Sequence, residues 1–220
     1  MGEPIVVYGT GGLGREVAEL ISDITRTGRA WDVLGLITDD QSAVGQVING
    51  LSVLGGQEWL SQNTGIAVAV AVGNAAARRR IISALEAAEI ELPVLEHPSV
   101  QRGRDVDIGP GTILCAGTII TTNVRIGRSA FVNLSCTIGH DAVLRDFVTL
   151  APGVHVSGNV TIHEGVDIGT GASIIQGISI GPWSIIGAGA AVVSSIRPNV
   201  TAVGVPARVI KERAEGWHLN

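Results

Sequence analysis

Aliphatic residues recur at every sixth position through the second half of the chain. The series starts at Ile108, ends at Val192 and has fifteen members without a gap. Its members are Ile108, Leu114, Ile120, Ile126, Val132, Ile138, Leu144, Leu150, Val156, Ile162, Ile168, Ile174, Ile180, Ile186 and Val192. An amphipathic helix repeats at about 3.6 residues and a half-buried strand at about 2, so this period indicates neither. Repeats of one fixed length bury their apolar faces by stacking on their neighbours.

A second inward position lies four places after each aliphatic residue. Small or β-branched side chains fill it, for example Thr118, Cys136 and Val160. Glycine often follows the aliphatic residue, where a corner can demand a conformation that a side chain resists. The pattern resembles that of left-handed parallel β-helices, in which three hexads form a coil, and it predicts about five coils. A β-sandwich would instead space its strands irregularly.

The first hundred residues follow a different pattern, which predicts an α/β domain. A buried strand at 5–8 leads into Gly9, Gly11 and Gly14 in GxGxxG spacing, followed by helical spacing from 15 to 24. Such a turn exposes N–H groups at a helix N-terminus, which favours an anion such as phosphate. The alternative is that these glycines only allow close packing. About 95 residues precede the repeats, so a mononucleotide-sized half fits better than a full dinucleotide fold.

Two further strand ends are expected at the same edge of the sheet. A strand at 33–38 ends in Asp39 and Asp40, where carboxylates can accept hydrogen bonds from ribose or base. A strand at 66–72 is followed by Gly73 and Asn74 and by a helix at 75–88, on which the arginines at 78–80 are interpreted as a solvated face. We therefore predict a Rossmann-like domain at 1–98 and an all-β left-handed β-helix domain with a C-terminal tail at 99–220.

Composition narrows the classes of function. A net charge of −5 and a pI of about 5.5 argue against a nucleic-acid partner. The longest apolar run, 66–72, is too short to cross a bilayer. Two cysteines and no signal peptide ahead of the first strand predict a cytoplasmic protein. Charged residues make up 16 %, against roughly 25 % in a typical domain, a deficit expected when outer faces pack against other subunits.

His140 and Asp141 interrupt an apolar stretch of the repeats at a predicted corner. An imidazole beside a carboxylate is the simplest general base, although an isolated pair can also be only a surface hydrogen bond. His155 and His163 raise the alternative of a zinc site, which needs converging ligands. The step from His140 to His155 is not a whole coil, so the two fall on different faces, and no metal is expected. Cys136 occupies a slim inward position and is interpreted as a core residue.

Nearly the whole chain resembles the hexapeptide-repeat acyltransferases that O-acetylate sialic acid or N-acetylate nucleotide-linked amino sugars, the NeuD/PglD-like family. Members acetylate UDP-4-amino sugars and GDP-perosamine. The resemblance rests on the order and spacing of several motifs. They are Val6-Val7-Tyr8-Gly9-Thr10-Gly11-Gly12-Leu13-Gly14-Arg15, Asp39-Asp40, Gly73-Asn74, Gly139-His140-Asp141, Ser157-Gly158-Asn159-Val160 and Gly204-Val205-Pro206-Ala207-Arg208.

The resemblance implies an acetyl-CoA-dependent N-acetyltransferase. The substrate would be a UDP-, GDP- or dTDP-linked 4-amino-4,6-dideoxy sugar used in bacterial glycan or O-antigen (lipopolysaccharide) synthesis. The family resemblance also implies a homotrimer with active sites between subunits and acetyl-CoA along the groove between adjacent β-helices. Acetylation of a sialic-acid or other sugar hydroxyl is the nearest rival. A non-catalytic trimeric scaffold that binds a nucleotide is a rival from a different class.

The same resemblance implies roles for individual residues. His140 would be the general base and Asp141 the acidic residue that supports it. The nucleotide-sugar contacts would be Gly9, Gly11, Gly12, Leu13, Asp39, Asp40, Gly73 and Asn74. The acetyl-CoA contacts would be Thr149, Thr170, Ala188 and Arg208, the last as part of a basic tail that can meet phosphates. Some members carry histidine at the positions of Thr149 and Leu13, so the chain departs from them there.

Overall fold

A computed structural model describes residues 2–28 and 30–219 and divides the chain into two compact units, Met1–Pro98 and Ser99–Asn220. The first unit contains six strands and three α-helices among the residues described. In chain order they are β1 (Glu3–Tyr8), α1 (Gly12–Thr27), β2 (Trp31–Ile37), β3 (Val47–Ile48), β4 (Leu51–Gly55), α2 (Gln57–Gln62), β5 (Ala67–Val70), α3 (Ala75–Ala87) and β6 (Leu95–Glu96). A short 3₁₀ helix spans Gln41–Ala43.

The sheet of the first unit has the order β3-β4-β2-β1-β5. Strand β1 is central and pairs in parallel with β2 and β5. Its residues Ile5, Val6 and Val7 are fully buried, as expected for a parallel strand covered on both faces. Parallel pairing brings the carboxyl ends of β1, β2 and β5 to one edge, where the glycine-rich and acidic motifs follow. The predicted α/β domain is confirmed.

The second unit is a parallel β-helix. Its strands are β7 (Gln101–Arg102), β8 (Val106–Ile108), β9 (Ile113–Leu114), β10 (Ile119–Ile120), β11 (Val124–Ile126), β12 (Phe131–Val132), β13 (Thr137–Ile138), β14 (Val143–Leu144), β15 (Thr149–Leu150), β16 (His155–Val156), β17 (Thr161–Ile162), β18 (Asp167–Ile168), β19 (Ser173–Ile174), β20 (Ser179–Ile180), β21 (Ile185–Ile186), β22 (Ala191–Val192), β23 (Val200–Val203) and β24 (Arg208–Glu212). Each of the fifteen aliphatic residues of the repeat is the last residue of a strand.

Three sheets form the sides of the β-helix. Sheet I has the order β7-β10-β13-β16-β19-β22, sheet II β8-β11-β14-β17-β20, and sheet III contains β9-β12-β15-β18-β21-β23-β24. Residues three hexads apart are paired in register, for example Thr137 with His155 and Val143 with Thr161. The aliphatic and slim positions fill the interior, where Cys136 and Val160 are fully buried. The predicted coil of three hexads is confirmed.

Both ends of the β-helix differ from the repeat. Strand β7 lies in phase with the hexads and pairs with β10, yet it carries exposed Arg102 where the repeat has an aliphatic residue. The aliphatic pattern therefore did not reveal this strand. At the other end β24 turns back antiparallel to β23. In the following 3₁₀ helix Trp217–Leu219, Trp217 Nε1 donates to Trp183 O at 3.3 Å and the His218 ring stacks on Trp183 at 3.7 Å.

No helix within 2–28 and 30–219 is long and apolar enough to cross a membrane.

Candidate active site

His140 and Asp141 form a hydrogen-bonded pair at a corner between sheets I and II. The corner connects β13 to β14, and Asp141 adopts a left-handed conformation with φ 59°. His140 Nδ1 lies 2.8 Å from Asp141 Oδ2, and the two side chains are 62 % and 46 % exposed. The hydrogen bond from His140, followed by one from Asn123, lowers the pKa of Asp141 below its usual value. An ionised Asp141 accepts the Nδ1–H and leaves the Nε2 lone pair to accept a proton.

Gly158 gives the His140 ring its place on the corner. It occupies the equivalent corner position one coil further along the β-helix. A Cβ atom added to Gly158 would lie 2.6 Å from both Cε1 and Nε2 of His140. Real Cβ contacts are not that short, so any side chain at this position would displace the imidazole. Gly158 is thus needed to leave room for the His140 ring, and not because the backbone there demands glycine.

The predicted acetyl-CoA residues lie elsewhere on the β-helix. Thr170 and Ala188 are exposed, one coil apart, on the corner between sheets III and I. Arg208 is exposed on β24 and donates to Ala207 O at 2.9 Å. Thr149 lies on β15 and is only 8 % exposed. Within one chain, Thr170 and Ala188 therefore occupy a different corner from the one that carries His140.

The other candidate side chains of the repeats are separate from the pair. His155 lies on β16 of sheet I, where its Nδ1 is 2.9 Å from Thr137 Oγ1, and His163 lies on the corner between sheets II and III. In the part of the chain that the structure describes, no three His, Cys, Asp or Glu side chains are grouped as metal ligands. Cys136 is a core residue as predicted, and burial raises the pKa of its thiol to about 11.

The glycine-rich turn after β1 combines two kinds of glycine. A Cβ on Gly14 would lie 2.0 Å from Gly9 O, and one on Gly9 would lie 2.6 Å from Ala71 O, so close packing requires both glycines. A Cβ added to Gly11 would have no atom within 4 Å outside the adjoining residues and helix backbone, and one added to Gly12 would meet only the Arg15 side chain, at 3.7 Å. The packing alternative thus accounts for two glycines of GxGxxG, whereas Gly11 and Gly12 leave exposed backbone at the start of α1.

Two acidic residues at the end of β2 have different partners. The Tyr8 hydroxyl donates to Asp39 Oδ1, so the last residue of β1 holds this carboxylate. Burial, followed by the bond to Asp39, raises the pKa of Tyr8 to about 12. Asp40 caps the following 3₁₀ helix, accepting from Ser42 N at 2.9 Å and Ser42 Oγ at 2.6 Å. These bonds lower the pKa of Asp40.

The turn after β5 completes this edge of the sheet. Gly73 is exposed, and Leu13 Cδ2 is the nearest atom to its Cβ position, at 3.9 Å. Asn74 caps α3 by accepting from Ala77 N at 2.8 Å. The structure thus brings Gly9, Gly11, Gly12, Leu13, Asp39, Asp40, Gly73 and Asn74 to one edge of the first unit.

One interpretation of α3 is wrong. Arg78 is not part of a solvated face but is 2 % exposed. Its Nη1 donates to Val72 O at 2.8 Å and to Gly73 O at 3.0 Å, two carbonyl groups of the turn between β5 and α3. Arg80 is exposed, as expected. The spacing did carry a signal, because Arg78 precedes the buried residues Ile81, Ile82 and Leu85 by three, four and seven positions and so lies on the same face of the helix.

Sequence reasoning also missed Tyr8, Asn123 and Gly158 as neighbours of predicted site residues. For Tyr8 a signal existed, because a tyrosine at the end of a buried strand needs a partner for its hydroxyl. For Asn123 and Gly158 the signal is the stacking of successive coils, which places them one coil before Asp141 and one coil after His140. The repeat could have identified both once the coil length was known.

Comparison with known proteins agrees with this architecture. The sequence profile of the PglD N-terminal domain matches residues 4–85. The GDP-perosamine N-acetyltransferase of Escherichia coli O157:H7 is 32 % identical over 153 residues, which cover 69 % of this chain and 69 % of that protein. The chain belongs to the PglD-like family of hexapeptide-repeat sugar acetyltransferases. The predicted family is thereby confirmed.

Solved structures of the family superpose over nearly the whole chain. The acetyltransferase domain of PglB from Neisseria gonorrhoeae FA1090, in complex with acetyl coenzyme A, has a TM-score of 0.86 and 33 % identity, covering 96 % of this chain and 100 % of that one. A histidine-to-asparagine variant of perosamine N-acetyltransferase from Caulobacter crescentus, in complex with CoA and GDP-perosamine, has a TM-score of 0.88 and 27 % identity, covering 95 % and 97 %. The enzyme is therefore an acyltransferase of this family.

Proposed function

We propose that the enzyme transfers the acetyl group of acetyl-CoA to the amino group of a nucleotide-linked 4-amino-4,6-dideoxy sugar. The observation that carries the proposal is the hydrogen-bonded pair of His140 and Asp141 on an exposed corner. A general base needs one nitrogen available for the incoming proton, and the bond through Nδ1 leaves Nε2 of this exposed ring for that role. The bound ligands of the Neisseria and Caulobacter relatives support the two substrate classes.

His140 acts as the general base in this proposal. Acetyl-CoA supplies the acetyl group as a thioester. Nε2 of His140 accepts the proton of the sugar amine while the nitrogen forms its bond to the acetyl carbon, and the protonated ring then donates to the departing thiolate. Asp141 fixes the ring through Nδ1 and stabilises the imidazolium that forms. Holding amine and thioester together supplies much of the remaining rate enhancement.

The first unit holds the nucleotide in this proposal. The exposed backbone around Gly11 and Gly12 lies at the N-terminus of α1, where N–H groups and the helix dipole favour phosphate oxygens. Asp39, which accepts a hydrogen bond from Tyr8, would accept further hydrogen bonds from ribose or base. The caps that Asp40 and Asn74 form leave the Asn74 amide nitrogen and the remaining carboxylate oxygen of Asp40 as the polar groups for a ligand.

We infer that the active site lies between subunits of a homotrimer. Thr170 and Ala188 form an exposed column of small residues that suits an extended donor lying along the coils. This column and His140 occupy different corners of one chain, so a groove lined by both needs a second chain. The exposed guanidinium of Arg208 would face the CoA phosphates. We place the enzyme in the cytoplasm, where acetyl-CoA is available.

The nucleotide and the reaction are tested separately. A thermal-shift screen of UDP, GDP, dTDP and CMP identifies the nucleotide, because a ligand that binds only the folded state raises Tm. A thiol-release assay with the matching 4-amino sugar then tests N-acetylation. Release with a hydroxyl acceptor in place of the amine would instead support O-acetylation. A nucleotide-induced shift without thiol release from any acceptor would support the scaffold.

The role of His140 is tested by His140→Ala. We expect kcat to fall by roughly 10²- to 10⁴-fold, the usual contribution of a general base. Tm and the affinities for both substrates should stay near those of the wild type, because the ring is exposed. Near-normal turnover by a variant that binds both substrates would contradict the assignment. His163→Ala, on a different corner, is the control.

A further inference from the structure

Asn123 lies directly beside the catalytic pair, one coil before Asp141. Its Nδ2 is 3.3 Å from Asp141 Oδ1, while the other carboxylate oxygen, Oδ2, faces His140 Nδ1 at 2.8 Å. The amide orientation follows from this geometry, since a reversed amide would set two oxygen atoms against each other. The three side chains thus form a hydrogen-bonded series in the order Asn123, Asp141, His140.

The backbone on both sides of the pair restricts how these groups can move. Asp141 N donates to Thr122 O at 3.1 Å, and Asn159 N donates to His140 O at 2.8 Å. Asn123 and Asp141 share the left-handed conformation, with φ 56° and 59°, which Asn and Asp adopt more readily than other side chains. Their side chains therefore leave equivalent corners one coil apart, and this parallel departure brings the amide to the carboxylate.

An exposed carboxylate without a second partner can rotate about its χ angles. The side chain of Asp141 is 46 % exposed, so burial does not fix it. A hydrogen bond to Oδ1 from a residue on a neighbouring coil restricts this rotation and keeps Oδ2 directed at the imidazole. The same bond contributes to the lowered pKa of Asp141.

We propose that Asn123 is a positioning residue, which holds the Asp141 carboxylate against His140 so that the imidazole keeps its Nδ1–H tautomer. The inference rests on the proposed role of His140 as the base. Asn123 itself does not touch the ring. Its contribution acts through Asp141 and should lower kcat, rather than substrate affinity, when it is removed.

Other charged groups line the same surface. Asp105, Asp107 and Arg125 share a cavity with Asn123 and Asp141. Asp107 and Arg125 are paired in register on neighbouring strands of sheet II, which places opposite charges side by side. Asp105 lies one coil before Asn123, at the same corner and with φ 57°. It is two strand spacings, about 10 Å, from Asp141 and serves as a matched control.

The first experiment compares Asn123→Ala with Asp105→Ala. Both variants lose a residue suited to the left-handed corner, so their effects on Tm should match. We expect Asn123→Ala to lower kcat by roughly 3- to 30-fold, a part of the contribution of a general base, with both KM values within about twofold. Asp105→Ala should keep wild-type kcat. A kcat of Asn123→Ala within twofold of the control would overturn the proposal.

Asn123→Asp separates the hydrogen bond from the shape of the side chain. The substitution is isosteric and suits the left-handed corner, but at pH 8 it sets a second carboxylate against Asp141. Neighbouring carboxylates raise each other's pKa, so on acidification they share a proton and the hydrogen bond returns. We expect the ratio of variant to wild-type kcat to rise as the pH falls from about 8 to about 5.5. A ratio that is independent of pH would contradict the role of the amide donor.

A spectroscopic measurement does not depend on turnover. Long-range ¹H–¹⁵N correlation spectra of the five histidines identify His140 by comparison with His140→Gln. We expect the Nδ1–H tautomer in the wild type and a mixture of tautomers in Asn123→Ala. An unchanged tautomer in the variant would refute the inference. If His140→Ala keeps normal turnover while the tautomer still responds to Asn123, the proposed function fails and the positioning stands.

Discussion

The β-helix and the α/β unit use the same residue types in different ways. In the β-helix, the stacking of successive coils determines which side chains point inward and which point outward. An exposed His–Asp pair next to Gly158 therefore differs recognisably from the residues that the repeat requires. In the α/β unit, no repeat tells which residues packing requires. There Gly14 is required for packing, whereas Gly11, in the same turn, is surrounded by open space. A sequence motif therefore distinguishes functional from structural residues only where the fold already determines which positions packing requires.

The largest expected effect tests this distinction within the glycine-rich turn. A Cβ in Gly14→Ala would lie 2.0 Å from the backbone oxygen of Gly9, so the backbone itself would have to shift. We expect a loss of about 3 kcal/mol or more in the free energy of unfolding, at the upper end for an overpacked position. Gly11→Ala should keep the wild-type stability and weaken nucleotide binding. Urea unfolding and isothermal titration with the nucleotide measure the two effects.

If Gly14→Ala and Gly11→Ala were equally stable, the distinction between a glycine required for packing and one available for binding would be wrong. A stable Gly11→Ala variant with unchanged nucleotide affinity would leave the packing interpretation to account for the whole motif.

The second prediction transfers the same distinction to the β-helix. In Gly158→Ala the three atoms nearest the new Cβ all belong to the exposed His140 ring, which can swing away, so Tm should change little. The displaced base should lower kcat by up to roughly 10²-fold. Gly139→Ala is the converse, because its Cβ would lie 2.5 Å from Gly158 N, a backbone atom. That variant should lose stability.

Steady-state kinetics and thermal unfolding of both variants measure the contrast. A fully active Gly158→Ala would show that the ring position in the structure is not the catalytic one. Gln176→Ala, the next position in the same column, controls for changes at this corner.

The sequence predicted the β-helix more completely than the α/β unit. Each aliphatic position from Ile108 to Val192 ends a strand. The repeat predicts this because one period sets both which side chains point inward and which residues stack on the next coil. One more strand, β7, was not predicted. It ends at Arg102, six residues before Ile108, where the repeat would have an aliphatic residue. In the α/β unit, a pattern of apolar residues predicted the strands, but the partners of Tyr8 and Arg78 are not given by any spacing. Contacts of that kind follow from the tertiary fold and carry no periodic signal.

Arg78 provides the third test, because it is a charged residue in a structural role. Arg78→Met keeps most of the apolar stem but leaves Val72 O and Gly73 O without this donor. Removing one partner of a buried hydrogen bond costs about 1–3 kcal/mol, and these two bonds are only partly buried, so we expect a loss of about 1–2 kcal/mol in stability. Nucleotide affinity should also fall, since Gly73 belongs to the candidate site.

Arg80→Met is the matched control on the same helix and should stay within about 0.5 kcal/mol of the wild type. Equal stability of the two variants in chemical denaturation would return Arg78 to the solvated face that the sequence first suggested.

The smallest effect concerns Tyr8, whose hydroxyl connects a core strand to Asp39. Tyr8 is the single tyrosine of the chain, so tyrosinate absorbance near 295 nm reports this group alone. We expect a midpoint near pH 12 in the folded protein, against about 10 in urea, because the structure raises the pKa of Tyr8 to about 12. A raised pKa means that the folded state binds the proton more tightly. The associated stability is therefore complete below pH 10 and is lost as the pH rises towards 12.

Tyr8→Phe removes only the hydroxyl and should cost about 1 kcal/mol, the net value of one hydrogen bond. Its larger consequence should be weaker nucleotide binding, because Asp39 then loses the partner that holds it at the sheet edge. A folded-state titration midpoint near pH 10 would show that the hydroxyl is solvated. Asp39 would then be free to rotate, and the α/β unit would lack the fixed carboxylate on which its proposed recognition of ribose or base depends.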